Sequence, residues 1–218
     1  MITHVIFVSK NEILISQNSN SIAGQRRTSE RAKQDMARKE TTTRADIVKA
    51  AFELTKEEGH GMLTARRLAG KIGCSTQPIF RVYKNMDELY SQVYDEIIQY
   101  FSEFYRDFPK MDDTPFVNLG LAYIKFAQVE PHLFEVLFLS KNRYGKSLYE
   151  LLNGREGFLV QEINKAKAAG AQNPSELFMK MWIFIHGAAC MVVTGDYDLE
   201  DAETLNLLKA SYLAYFRS

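Results

Sequence analysis

Cysteine is scarce in this chain: two among 218 residues, Cys74 and Cys190. Two isolated cysteines build neither a disulfide framework nor a cysteine-ligated zinc module, and they suit a reducing compartment. An excess of charge of one sign is also missing. Lys and Arg number 27 and Asp and Glu number 27, so the whole chain is formally neutral. Long apolar runs are missing as well. The longest uncharged one, residues 182–194, is shorter than a bilayer crossing requires. The patch at residues 5–8 is too short for a signal-peptide core, and Lys10 and Glu12 follow it directly. The expectation is a cytoplasmic protein without a membrane partner. No segment alternates with period two over a useful length and no unit repeats, which removes sheet and solenoid architectures. There is no phosphate-cradling glycine loop, nucleophile elbow or paired-carboxylate motif, and His4, His60, His132 and His186 are scattered. No enzyme activity, metal or cofactor is therefore expected.

What is present is unevenly placed. Residues 1–35 hold five basic against three acidic side chains, residues 36–90 ten against seven, and residues 91–218 twelve against seventeen. The local balances are +2, +3 and −5. A basic front and an acidic back direct phosphates toward the N-terminal part. Residues 1–35 are polar and aperiodic after two short apolar patches, so a disordered extension is expected there. A basic arm that touches DNA is the other reading. Met36 looks like a natural start.

From Thr43 the pattern is helical throughout. Ile47, Ala50, Ala51 and Leu54 fall at helical spacing, and Gly59 and Gly61 close the segment. Thr64 is a good N-cap for a second helix with Leu68, Ala69 and Ile72 on its apolar face, and Gly73 supplies a tight turn. Ser75 is expected to cap a third helix, with Pro78 in its first turn, where a missing N–H costs little. Asn85 and Glu88 then open a long helix with Leu89, Val93, Ile97, Phe101, Phe104 and Phe108 in register. Thr114-Pro115 is expected to start a helix ending at Pro131, followed by a short helix to Leu139. Loops are expected around Gly145 and Gly154. Further helices are read over residues 159–169, from Asn173-Pro174 to Gly195, and over residues 200–216. The fold class is all-α.

Chemistry concentrates in the third helix. Ile79 and Tyr83 should face inward, leaving Thr76, Gln77 and Arg81 outward near the helix N-terminus. Gln can pair with both hydrogen-bonding groups of adenine, Arg can fork onto guanine, and the Thr methyl can meet thymine. Helix, glycine turn and polar second helix together form a helix-turn-helix pattern.

At this point the sequence resembles the TetR family of bacterial regulators. The residues that carry the resemblance are Leu63-Thr64, Leu68-Ala69, Gly73-Cys74-Ser75, residues 79–85 (IFRVYKN) and Asp87-Glu88-Leu89. The resemblance implies an N-terminal three-helix DNA-binding domain over residues 36–91. It implies a helical domain for ligand binding and dimerisation over residues 92–218. It further implies repression of a palindromic double-stranded DNA operator, relieved by a small-molecule effector. Carried over by position, Thr64 would meet a phosphate, Lys84 and Asn85 would contact or orient the backbone, and Thr76, Gln77 and Arg81 would lie in the groove. Phe80, Val82 and Met86 depart from the family pattern, which often has tyrosine, histidine and lysine there. Arg38, Lys39, Arg44, Arg66 and Arg67 are candidates to supply the missing charge, Arg44 foremost.

The C-terminal part offers less. The segment Trp182-Ile183-Phe184-Ile185-His186-Gly187 resembles a tryptophan–histidine–glycine element in some C-terminal domains of the family. Trp182 and His186 stand four apart on one face. Phe104, Phe126, Phe138, Trp182 and His186 are the candidate pocket wall for an apolar or aromatic effector, with core or dimer packing as the other reading. The last two helices are expected to pair across a two-fold axis into a four-helix homodimer interface. Set against this reading stands a helical small-molecule-binding or interaction protein with weakened DNA binding.

Overall fold

Thr64 shows how local chemistry starts the fold. Its extended backbone places Oγ1 to accept the Arg67 N–H at 3.3 Å, and the helix α2 (Ala65–Ile72) begins at the next residue. The computed structural model describes residues 42–217. Before α2 come α1 (Arg44–Glu58) and a 3₁₀ turn (His60–Met62). Gly73 ends α2 in the left-handed conformation at φ 79°, and the Gly73 and Cys74 N–H groups both return to the Ala69 carbonyl at 2.9 Å. That arrangement satisfies two donors where the helix would otherwise fray.

The third helix, α3 (Gln77–Val82), starts one residue later than expected. Thr76, not Ser75, occupies the cap position, with helical backbone angles and no side-chain cap bond. Pro78 in the first turn gives up no bond that this short helix could have made. Ile79 and Tyr83 are buried in the same core as Ile47, Val48, Ala51 and Leu54 of α1 and Leu68 and Ala69 of α2, and Pro78 is buried as well.

Asn85 caps α4 (Met86–Asp107) by accepting the Glu88 N–H at 3.0 Å, while the Glu88 carboxylate accepts the Lys84 N–H at 3.0 Å. Leu89, Val93, Ile97 and Phe101 form its buried stripe as the periodicity predicts. The expected division between residues 91 and 92 falls inside this unbroken helix. From Ala45 onward the chain makes one compact unit. Two hydroxyls tie the three-helix part to α4: Tyr90 donates to the Leu63 carbonyl at 2.6 Å and Tyr83 to Gln92 at 2.8 Å.

The rest is a helical bundle: α5 (Val117–Val129), α6 (Pro131–Phe134) continued by a π turn (Glu135–Leu139), α7 (Leu148–Asn153), α8 (Phe158–Ala168), α9 (Pro174–Thr194) and α10 (Asp201–Phe216). There is no strand among the described residues. α5 is central and packs on α4, α9 and α10. Its start differs from expectation: Pro115 does not open the helix, because Phe116 is left-handed at φ 65° and helical hydrogen bonding begins after it. The buried Glu162 carboxylate accepts the Phe116 N–H at 2.6 Å and thereby fixes that turn. Gly120 lies where α9 and α10 cross α5; a Cβ there would sit 3.0 Å from Ile185 and 3.2 Å from Leu208. α7 occupies a stretch expected to be loop, held by a reciprocal cap between Ser147 and Glu150.

By length and composition α9 reaches the size of a membrane-crossing helix. Its inner side, however, packs into the core through Met181, Ile185 and Ala189. Its outer side carries Met179, Ile183 and Met191 at intervals of four or eight, with Ile183 67% exposed.

Candidate nucleic-acid interface and aromatic cluster

Burying Pro78, Ile79 and Tyr83 turns the remaining side of α3 outward. Thr76, Gln77, Phe80, Arg81 and Lys84 are all exposed there, as expected for the first, second, fourth and fifth of these. Gln77 and Arg81 stand at i and i+4 and share a face of α3, and Lys84 follows just beyond its end. Phe80 belongs to the same side and is 48% exposed. An exposed phenyl ring on a polar surface can meet a thymine methyl or a sugar, and it has no hydroxyl to offer a phosphate.

Thr64 and Asn85 are exposed and already spend their side-chain oxygens as helix caps. As an acceptor in that cap, the Thr64 hydroxyl still has its hydrogen to donate. The Asn85 cap orders the turn from which Lys84 projects. Arg44 is exposed at the first position of α1. Arg38 and Lys39 lie outside the described residues.

One expected contribution needs correction. Arg67 pairs with Glu58, and on the same side Lys71 pairs with Glu57 at 2.6 Å. Both pairs lie across α2 and the end of α1, so the local charge of α2 is largely offset. Arg66, one position earlier, is exposed. The sequence alone did not reveal these pairs, because nine and fourteen residues separate the partners.

The candidate pocket residues do come together, as a packed network of rings. Phe104 touches Phe126 at 5.3 Å between centroids, and Phe101 links Phe126 and Phe138 at 5.0 and 5.2 Å. Tyr123, among the aromatic residues noted in the sequence but not among the candidate pocket residues, is the hub: it meets Phe138 at 4.6 Å and Trp182 at 4.7 Å. Its hydroxyl bonds to His186 Nδ1 at 2.9 Å, and His186 Nε2 lies 3.6 Å from Cys190 Sγ. Trp182 stacks on His186 with centroids 5.6 Å apart and planes 17° from parallel. Burial pushes the Tyr123 phenol far above its ordinary range and lowers His186, so the pair meets as a neutral phenol and a neutral imidazole at pH 7. The spacing of Trp182 and His186 was visible in the sequence; that Tyr123 would be the hub was not, because it lies on a helix that is apolar almost all round.

No protein-family model matches the chain, and no curated protein matches its sequence significantly. Solved structures do. One, from Vibrio parahaemolyticus, is described as a transcriptional regulator of the TetR family; it superposes with a TM-score of 0.54 at 18% identity, covering 81% of this chain and 97% of its own. Another, from Rhodococcus sp., carries a similar TetR-family description, with a TM-score of 0.55 at 14% identity over 78% of this chain and 96% of its own. The fold is the TetR fold. In the TetR fold seen here, α3 is the outward-facing second helix of the helix-turn-helix, and the aromatic cluster lies within the helical bundle behind it.

Proposed function

We propose that this chain is a DNA-binding transcriptional regulator of the TetR family, a cytoplasmic homodimer that represses from a palindromic operator and is released by a small effector. The observation that carries the reading is the outward face of α3, with Gln77 and Arg81 exposed on it and Lys84 exposed just beyond its end, while Ile79 and Tyr83 anchor the helix. Residues 36–91 would bind DNA and residues 92–218 would bind effector and partner, with α4 shared. Thr76, Gln77 and Arg81 would read bases; Arg44, Thr64, Lys84 and Asn85 would hold phosphates or order the groups that do. Supporting a dimer, Met179, Ile183 and Met191 on α9 and Leu207 and Leu213 on α10 leave apolar side chains exposed. Paired across a two-fold axis, α9 and α10 bury that surface and carry two copies of α3 to successive major-groove faces, about 34–36 Å apart. An effector seated among Phe104, Phe126, Phe138, Trp182 and His186 need bias the spacing of the reading helices by only a few kcal/mol.

Two observations favour the second reading, a helical binding or interaction protein with a weakened grip on DNA. Glu58 offsets the Arg67 charge, and Phe80 has no phosphate-binding hydroxyl. Light scattering combined with a salt titration of duplex binding separates the two. A dimer whose affinity falls steeply with salt supports the regulator, and a monomer with no measurable duplex affinity at low salt supports the alternative.

A further inference from the structure

A cleft of about 550 Å³ opens where the end of α1 and the 3₁₀ turn meet the start of α4, the α6–π segment and the loop before α7. It shares no residue with the set Phe104, Phe126, Phe138, Trp182 and His186. Its volume suits a small organic molecule.

Four rings line the cleft: His60, Tyr90, His132 and Tyr144. His60 packs edge-on against Tyr90 at 4.8 Å between centroids, and the Tyr90 hydroxyl is spent on the Leu63 carbonyl. What Tyr90 has left to offer is its ring. Tyr144 rests on Tyr94 at 5.2 Å, and the Asn142 carboxamide accepts its N–H at 3.0 Å. His132 Nδ1 donates to the Lys56 carbonyl at 3.0 Å, so in the neutral ring Nε2 is an acceptor. Partial desolvation lowers the His60 pKa, which keeps that ring uncharged at pH 7.

Glu58, Asp87 and Glu135 add carboxylates to the same lining, and among the described residues no lysine or arginine joins them. Glu58 is matched by Arg67. The Asp87 and Glu135 carboxylates have neither an ion pair nor a hydrogen bond among the described residues. Charge of one sign along a concave wall focuses the field and concentrates cations there. Aromatic faces carry the negative side of the ring quadrupole and attract the same charge. A metal ion fits less well, because no three His, Cys, Asp or Glu side chains among the described residues are placed to hold one.

We propose that this cleft binds a small organic cation, an amine or quaternary ammonium on an apolar body. Asp87 and Glu135 supply the countercharge, and the Tyr90 and Tyr144 rings supply the faces. A molecule bound there touches the three-helix unit and the bundle together. The inference goes beyond the regulator reading and does not depend on the aromatic cluster.

Calorimetry on the full chain compares benzyltrimethylammonium, benzyl alcohol and phenylacetate, which share a phenyl ring and differ in charge. The expected result is one saturable site per chain for the ammonium, about tenfold or more tighter than the alcohol, and no binding of phenylacetate. Asp87→Asn and Glu135→Gln each weaken the ammonium several-fold, and together they abolish its preference over the alcohol. Glu96→Gln removes an exposed α4 carboxylate outside the cleft and leaves that preference unchanged. In proton NMR the N-methyl signal moves upfield on binding, because methyls held over ring faces are shielded. Equal binding of ammonium and alcohol, a preference that survives the double variant, an equal loss in Glu96→Gln or an unmoved N-methyl signal overturns the proposal. Duplex binding is measured on the same preparation. A DNA complex without cation preference leaves the regulator standing and removes this site; cation preference without any DNA complex does the reverse.

Discussion

Lys56 Nζ lies 2.6 Å from Glu130 Oε1, joining the last turn of α1 to the residue between α5 and α6. The Tyr100 hydroxyl of α4 completes the cluster, accepting from Lys56 at 2.8 Å and donating to Glu130 at 2.6 Å. His132 Nδ1 adds a bond to the Lys56 carbonyl at 3.0 Å. Burial would lower the Lys56 pKa, but the bonds to Glu130 and Tyr100 outweigh it and the net shift is upward. The cluster thus ties the base of the three-helix unit to the bundle. Glu130→Gln keeps the shape and removes the charge. The expected loss is roughly 1–2 kcal/mol in urea unfolding, below the cost of breaking a fully buried pair because Lys56 is about a third exposed. A double-mutant cycle with Lys56→Met that shows no coupling contradicts this.

Gly120 has a packing role. Its missing side chain lets α9 and α10 close on α5, with Ile185 and Leu208 filling the space. Gly120→Ala gains about 1 kcal/mol of helix propensity and meets overpacking of similar size, so its net effect should be small. Gly120→Leu has no such compensation and should cost roughly 2–3 kcal/mol. Thermal unfolding of both variants checks the contrast; two equal midpoints would refute the crossing described here.

Asp112 gives the acid limb a defined contributor. The Lys209 ammonium at 2.6 Å and the Thr114 hydrogen bonds hold its carboxyl down at about 2. The folded pKa lies below the unfolded 3.8, so the stabilisation is present above that value and is lost as pH falls toward 2. Asp112→Asn should therefore lower stability at pH 7 by on the order of 1 kcal/mol, allowing for the solvent exposure of Lys209. The difference from wild type should close near pH 2. A gap that stays constant with pH assigns the loss to something other than this pair.

Much of this architecture was legible in the sequence, and what was not has physical causes. The Thr64 and Asn85 caps, the Gly73 turn and the stripe from Leu89 to Phe101 follow from local chemistry that acts within four residues. The Ser147–Glu150 cap was equally local and could have revealed α7, but flanking glycines suggested loop instead. Phe116 is held by Glu162, 46 residues later, and Lys56 meets Tyr100 and Glu130 across 44 and 74 positions. No periodicity carries such information. Among the candidate pocket residues, the Trp182–His186 face was readable from spacing. The central place of Tyr123 was not, because it sits on a helix that is apolar almost all round.

On the proposed function, Arg81 and Arg44 divide base reading from phosphate holding. Arg81→Ala should relax base preference at one position of each half-site and cost about 1–3 kcal/mol on the preferred sequence. Arg44→Ala should weaken all sequences alike and reduce the salt slope by about one. Competition binding on specific and random duplexes at several salt concentrations distinguishes them. Equal losses on both duplexes for Arg81→Ala would show that it does not read bases.

The most direct test of the central claim is selection of bound fragments from random duplex DNA by the full chain, read by sequencing. The regulator account expects an enriched inverted repeat with half-site centres about one helical turn, 10–10.5 base pairs, apart. A folded dimer that enriches no sequence at low salt contradicts it and leaves the binding-module reading in its place.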